Sequence, residues 1–386
     1  MRVVVTVHDF GVGGTQTYAL TVAEQLQRLG HDAVLHADEL GPTVETARGR
    51  GLVVAESEGD LPGEIDVVLS QDAMMAYRMA DRYPRAPQLF RCPSDLFDLQ
   101  QPPQLPDVVS VLYALSDRFA DRVRALAGTR EVLRLRQPID HDRFAAGGPL
   151  RPRPRRAALL GTYLQGARLE LLRDVWGEAG VECVRVSGNP RPEEVLADAD
   201  VVVAKGKAAL EGMACARAVY VYDQFGCDGW VTPDSYPAIE ADNFAGQATD
   251  VTVSVESLRR ALDEYDPAMG IANRDVVARH HSARKHAQRL VEIMRELAPR
   301  PARPELPLRE LARLVRVQWA TESRAYQLGL ENAALQGRVQ QLERAYEQET
   351  LEREAAEARV GALKATRRYR AAGALAAAAD RLRGRR

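Results

Sequence analysis

The stretch VVVAKGKAALEGMACARAVYVYD, residues 201–223, sets Lys205 and Lys207 around Gly206 where an apolar strand gives way to a helix. Two ammonium groups at such a junction suit a diphosphate, because the first helical turn leaves backbone N–H groups unpaired and carries the positive end of the helix dipole. Glu211, four residues after Lys207, falls in the first turns of the same helix. A carboxylate there is stabilised by the dipole and is also placed to accept ribose hydroxyls. Most lysines are solvated loop residues, and that plain alternative stands for both. The stretch lacks the GxxxxGK[ST] spacing of a P-loop.

A second loop, HDFGVGGTQTYA, places Gly11, Gly13 and Gly14 between the first strand and its helix, where small residues let the backbone approach a ligand. Glycines also serve any tight strand-to-helix turn, so ligand contact and plain turn are equal readings. His280, His281 and His286 lack the i, i+4 spacing of two metal ligands and lie among Arg and Lys, which predicts a solvated basic helix and no metal site. Trp230 and Tyr236 are read as loop anchors or as stacking groups, and Asp140 and Phe144 as packing and capping residues.

These candidates need a scaffold that presents strand ends. The runs RVVVTV, DAVLHA, LVVA, IDVVLS and VVSVLY alternate with helical sequence over the first third of the chain. Strands apolar at consecutive positions and separated by helices indicate a parallel sheet covered on both faces. Prolines and arginines over 149–156 mark a linker. RAALLG, ECVRVSG, DVVVAKG and AVYVYD then supply a second parallel sheet. The predicted layout is an N-domain over 1–148, a linker over 149–156, a C-domain over 157–297, a proline-rich linker over 298–307, a coiled coil over 308–365 and a basic tail over 366–386.

The seats Ala325, Leu328, Asn332, Leu335, Val339, Leu342 and Tyr346 follow a heptad, and Asn332 at a core seat favours a parallel homodimer. From Thr366 on, seven arginines face one aspartate, which suggests weak contact with an anionic membrane surface. With 386 residues, 46% hydrophobic, and a net charge of −2, the chain has the makeup of a globular protein and not of a nucleic-acid binder. Cys92, Cys183, Cys215 and Cys227 form no CxxC pair and read as reduced structural thiols. The opening apolar run is too short for a signal-peptide core and no stretch reaches membrane-spanning length, so a cytoplasmic location is expected, at most peripheral to the inner membrane face.

GVGGTQTYALTVAEQLQRLGHDAVLHA resembles the opening of family 4 glycosyltransferases of the GT-B class, IDVVLSQD, VLYALSDRFADRVRAL and RLRQPIDHDRF resemble later parts of that family's N-domain, and ALEGMACARAVYV resembles its LEAMACGxPVV signature. The likeness covers roughly residues 1–247. It implies two Rossmann-like domains around a cleft and transfer of a sugar from a nucleotide-diphosphate donor to a glycan, lipid or small-molecule acceptor, retaining and without a metal or other cofactor. Glu211 matches the second glutamate of the family's Glu-x7-Glu motif, expected at the ribose, and Gly13 and Gly14 match the loop near the donor phosphates. Val203 stands where the first glutamate belongs, and the family's basic pair is missing unless Arg168 serves; Lys205 and Lys207 are expected to replace that charge. No N-domain catalytic histidine is evident in LFRCPSDLF, where Arg91, Cys92 and Asp95 stand, with Arg91 an accessory candidate. A nucleotide-sugar epimerase and a catalytically silent sugar-nucleotide scaffold are the alternatives.

Overall fold

The computed structural model describes residues 1–93, 97–105, 107–128, 130–161, 164–186, 189, 191–301 and 306–383. Asp95, Thr162 and Tyr163, residues 302–305 of the second linker and the last three residues of the basic tail lie outside them. In the N-domain, β1 (Arg2–Asp9), α1 (Gly14–Arg28), β2 (Asp32–Glu39), α2 (Thr43–Gly49), β3 (Val53–Ala55), β4 (Val67–Ser70), α3 (Ala73–Arg82), β5 (Gln88–Cys92), β6 (Val111–Ala114), α4 (Asp117–Ala127) and β7 (Val132–Arg134) follow in turn. Their strands form one parallel sheet in the order β3-β2-β1-β4-β5-β6-β7. Val3, Val4, Val5 and Val7 are all fully buried, as strands covered on both faces require. The sequence reading omits β5, a central strand, because buried Gln88 and Arg91 interrupt its apolar run.

The C-domain comprises β8 (Arg156–Leu160), α5 (Gly166–Glu178), β9 (Glu182–Val186), α6 (Pro192–Ala197), β10 (Val201–Ala204), α7 (Lys207–Ala214), β11 (Ala218–Tyr222), β12 (Cys227–Trp230), α8 (Tyr236–Ala241), α9 (Val255–Asp263) and α10 (Ala268–His280). Its order is β12-β11-β10-β8-β9, with the four expected strands parallel and β12 antiparallel to β11. The stretch expected to be loop-rich thus holds a strand and a helix. There Trp230 is buried, donating to the Ala261 carbonyl at 2.8 Å, and Tyr236 is buried against His281, so both are anchors. The 149–156 segment is pinned by Asp200, whose carboxylate accepts the backbone N–H groups of Arg151, Arg155 and Arg156.

The chain then returns to the N-domain. Ile139 bridges to Ser282, and α11 (Ala283–Glu296) buries Leu290, Val291, Ile293 and Met294 against Tyr18, Leu26 and their neighbours. Only His280 of the three histidines fits the solvated reading: His281 and His286 are 1% and 8% exposed. His281 bonds the Gln137 carbonyl and the Tyr236 hydroxyl, and His286 bonds the Tyr18 hydroxyl at 2.7 Å. Burial, above all, pushes both histidines down to about 3, so they sit there neutral. Arg300 follows, buried, its guanidinium donating to the carbonyls of Tyr83, Ala86, Asp107 and Val108.

Two long helices follow, α12 (Leu308–Ala365) and α13 (Arg367–Arg383). Residues 1–324 form one compact unit and 325–386 a second. Where a coiled coil was expected from residue 308, Leu308, Leu311, Ala312, Val315 and Trp319 instead pack on the N-domain, since their helical spacing suits one face of a docked helix. Beyond Ala325 most large apolar side chains are open: Leu328, Leu335 and Leu342 are 55%, 58% and 67% exposed. Among the described residues no helix is long and apolar enough to cross a membrane.

Candidate functional site

Four consecutive buried residues of β10 deliver Lys205 to the carboxyl end of the C-domain sheet. Gly206 follows with φ +57°, a left-handed conformation that side chains rarely adopt, and its N–H donates to the Phe244 carbonyl at 3.0 Å. That turn starts α7 at Lys207 with no side-chain cap. Gly212 lets α7 lie close on β10: a Cβ there would stand 2.8 Å from Val202.

Each lysine meets a carboxylate. The Lys205 ammonium lies 2.6 Å from Asp223 Oδ2 and 5.1 Å from the centre of the Phe225 ring. Lys207 lies 2.5 Å from Glu211 Oε1 and 5.9 Å from the Phe144 ring. Arg168, in the first turn of α5, donates to the Asp223 carbonyl at 3.3 Å and so joins the Lys205 group. Two charged groups result: Arg168 and Lys205 with Asp223 beside the first turn of α5, and Lys207 with Glu211 on α7. Asp223 was missed in the sequence. Its signal was register: Ala204 pairs with Val221, which puts the residues just past β10 level with those just past β11.

Gly13 and Gly14 lie on the other domain, at the carboxyl end of β1. Asp9 closes that loop, accepting Gly11 N–H at 2.6 Å and Gln16 Nε2 at 2.7 Å. Gly13 has extended backbone open to any residue, but a Cβ would come 2.7 Å from Gln16 Oε1, whereas Gly14 borders open space. Arg91 is not an edge group. It is buried, donates to Gln71 Oε1 at 2.5 Å and lies 4.1 Å from the Tyr18 ring centre, above the Tyr18–Tyr113–His286 hydroxyl network.

The N-domain edge also carries groups that sequence reasoning passed over. His8, at the end of β1, pairs its Nε2 with Asp9 Oδ2 at 2.7 Å. Burial depresses its pKa, but the Asp9 hydrogen bond and the Asp72 carboxylate outweigh that and hold it above the usual histidine value. Asp72 caps α3 by accepting Met75 N–H, and burial pushes it up to about 6 against the opposing pull of His8. The register Val5↔Leu69 brings His8 and Asp72 to one level of the sheet. His8 followed only a strand end in a glycine-loop motif, with no spacing to mark it.

Two α/β domains with mainly parallel sheets, the chain returning to the first after the second, have the architecture of the GT-B fold of glycosyltransferases. Solved structures share it: Anabaena HepE in complex with UDP and glucose (TM-score 0.54, 11% identity, 77% of this chain and 100% of that one) and a glycosyltransferase from Rickettsia africae (0.52, 12%, 76% and 98%). An α-glucosyltransferase in complex with UDP and a 13-mer DNA superposes at TM-score 0.55 with 9% identity, covering 77% of this chain and 100% of that one. No protein-family model and no curated protein matches the chain.

Proposed function

We propose that the protein is a glycosyltransferase that moves a sugar from a nucleoside-diphosphate sugar to an acceptor hydroxyl on the N-domain side. The observation that carries this reading is the gathering of Arg168, Lys205 and Lys207 at two helix N-termini on the carboxyl edge of the C-domain sheet, the edge where open α/β sheets take ligands. As the bond from the anomeric carbon to phosphate oxygen breaks, the nucleoside diphosphate leaves with the electron pair and gathers charge. Fixed cations stabilise that charge most where it is greatest, in the transition state. Charge supplied by side chains leaves no need for a bound metal, and departure of the diphosphate on the face the acceptor enters gives retention. Glu211 receives the ribose hydroxyls once the diphosphate has drawn Lys207 away. Phe225, 55% exposed beside Lys205, borders the same edge.

Calorimetric titration of UDP, GDP and ADP and their sugars, followed by turnover with labelled donor and an acceptor panel, tests the reading. Binding of none of them would end it. The pairing of both lysines with carboxylates, and buried Val203 in place of a first glutamate, favour one second reading, a donor-binding scaffold without turnover. Donor that binds but is neither transferred, hydrolysed nor epimerised would establish that instead.

A further inference from the structure

The first four turns of α12 cross the carboxyl ends of three N-domain strands. Arg309 pairs with Asp81 at 2.6 Å, and Arg316 pairs with Asp38 and Glu39 at the end of β2 at 3.2 and 3.3 Å. Farther along, Trp319 sets its ring edge-on to His8, at the end of β1, with centroids 5.2 Å apart. The same indole lies 5.0 Å from Phe97, after β5, at 82°. Gln318 donates to Asp98 Oδ2 at 2.6 Å, and Glu322 accepts the Asp98 N–H at 3.2 Å. Below, His8 Nδ1 and Asp72 Oδ2 are buried without a hydrogen-bond partner. Native interiors rarely leave such atoms unpaired, and they mark an edge shaped for a polar ligand.

We infer that Trp319 is a wall of the acceptor site and that the acceptor is a neutral or amino-bearing carbohydrate. The inference rests on the glycosyltransferase reading. Indole and phenyl rings pack against the C–H face of a pyranose, while the carboxylates of Asp9, Asp98 and Glu322 accept its hydroxyls. Those same carboxylates, with Glu39 alongside, repel a phosphate-bearing acceptor. The long C-terminal helix therefore helps to select the substrate.

Tryptophan emission tests this without a donor. Trp176 and Trp230 are buried in the C-domain, whereas Trp319 is part-exposed. Neutral and amino disaccharides titrated into the full chain should change the emission, their 6-phosphates should not, and the response should vanish in Trp319→Phe. Trp319→Ala should weaken the responding sugar at least tenfold, read by calorimetry, with UDP affinity unchanged and a lower melting temperature from the lost packing on the N-domain, whereas Trp319→Phe, which keeps a ring there, should retain more of the sugar affinity. Silence of the whole neutral panel, tighter binding of the phosphates, or undiminished binding by Trp319→Ala overturns the proposal. UDP titrated in parallel reports on the donor reading separately, since a chain that binds UDP but no sugar fails only here.

Discussion

At the C-domain edge, Arg168, Lys205, Lys207, Glu211 and Asp223 come from two strand-to-helix turns and one hairpin turn within one stretch of 56 residues. At the N-domain edge, His8, Asp72, Phe97, Trp319 and Glu322 come from residues 8 to 322, most of the length of the chain. One edge is made by local turns on a single sheet. The other depends on helices that return after the second domain is complete. Local construction leaves a motif in the sequence, whereas assembly by return leaves only scattered residues, and the two edges should also respond differently to perturbation.

Acid should produce the largest difference. His281 and His286 are held at about 3 in the folded chain, below the unfolded value near 6.5, so below that value the unfolded state binds more protons. Stability must therefore fall as pH drops from about 6.5 toward 3, by several kcal/mol by the linkage relation. Melting temperatures across that range, with amide exchange resolved by segment, should show α1 and α11 loosening before α7. Uniform loosening of both domains would erase the contrast. His8 has the opposite sign: its raised pKa supplies stability present below 6.5 and lost as pH rises through its folded value.

Lys205→Ala and Lys207→Ala should each weaken UDP ten- to a hundredfold, the loss of one charge-assisted contact of about 1.5 to 3 kcal/mol. Because Lys205→Ala also strands Asp223, which is 2% exposed, it lowers the melting temperature as well. Lys205→Met with Asp223→Asn removes that complication. If the double variant regains stability and still binds UDP poorly, Lys205 touches the ligand; if it regains both, the pair is structural. Glu211→Gln should weaken UDP and UDP-sugar alike.

Replacing Leu335 and Leu342 by Asp tests the exposed seam of the second unit, where a parallel homodimer is proposed. Sedimentation should show monomers, with UDP affinity unaltered; an unchanged mass would remove the coiled coil from the picture. The smallest effect belongs to Ala216, which sits at φ +59° where the resembled signature has glycine. Ala216→Gly should relieve about 1 kcal/mol of left-handed strain, offset in part by the entropy of a freer unfolded chain. A lower melting temperature would mean that the methyl group packs usefully.

Both sheets were legible because consecutive buried valines and alanines leave a plain record, and Gly206 and Glu211 because a strand-to-helix turn has local grammar. β5 escaped since its inward positions include Gln88 and Arg91, which meet Ser70, Ala76, Gln71 and Tyr18 only once the domain has formed. The carboxylate partner of Lys205 escaped because parallel neighbours are far apart in sequence. From sequence, Leu308 to Trp319 look like the start of a coiled coil because a helix docked on a domain and one zipped to a partner share nearly the same apolar period.

The site of Arg300 has a consequence for synthesis. Its guanidinium closes carbonyls of the 83–108 region, and α11 supplies part of the core around Tyr18. On the ribosome the N-domain must therefore wait, with a side of its core open, while more than 160 further residues are made after β7. At 5–20 residues per second that is on the order of ten seconds or more. The half that emerges first is the half finished last, and during that interval the apolar face of α1 that α11 later covers stays in water.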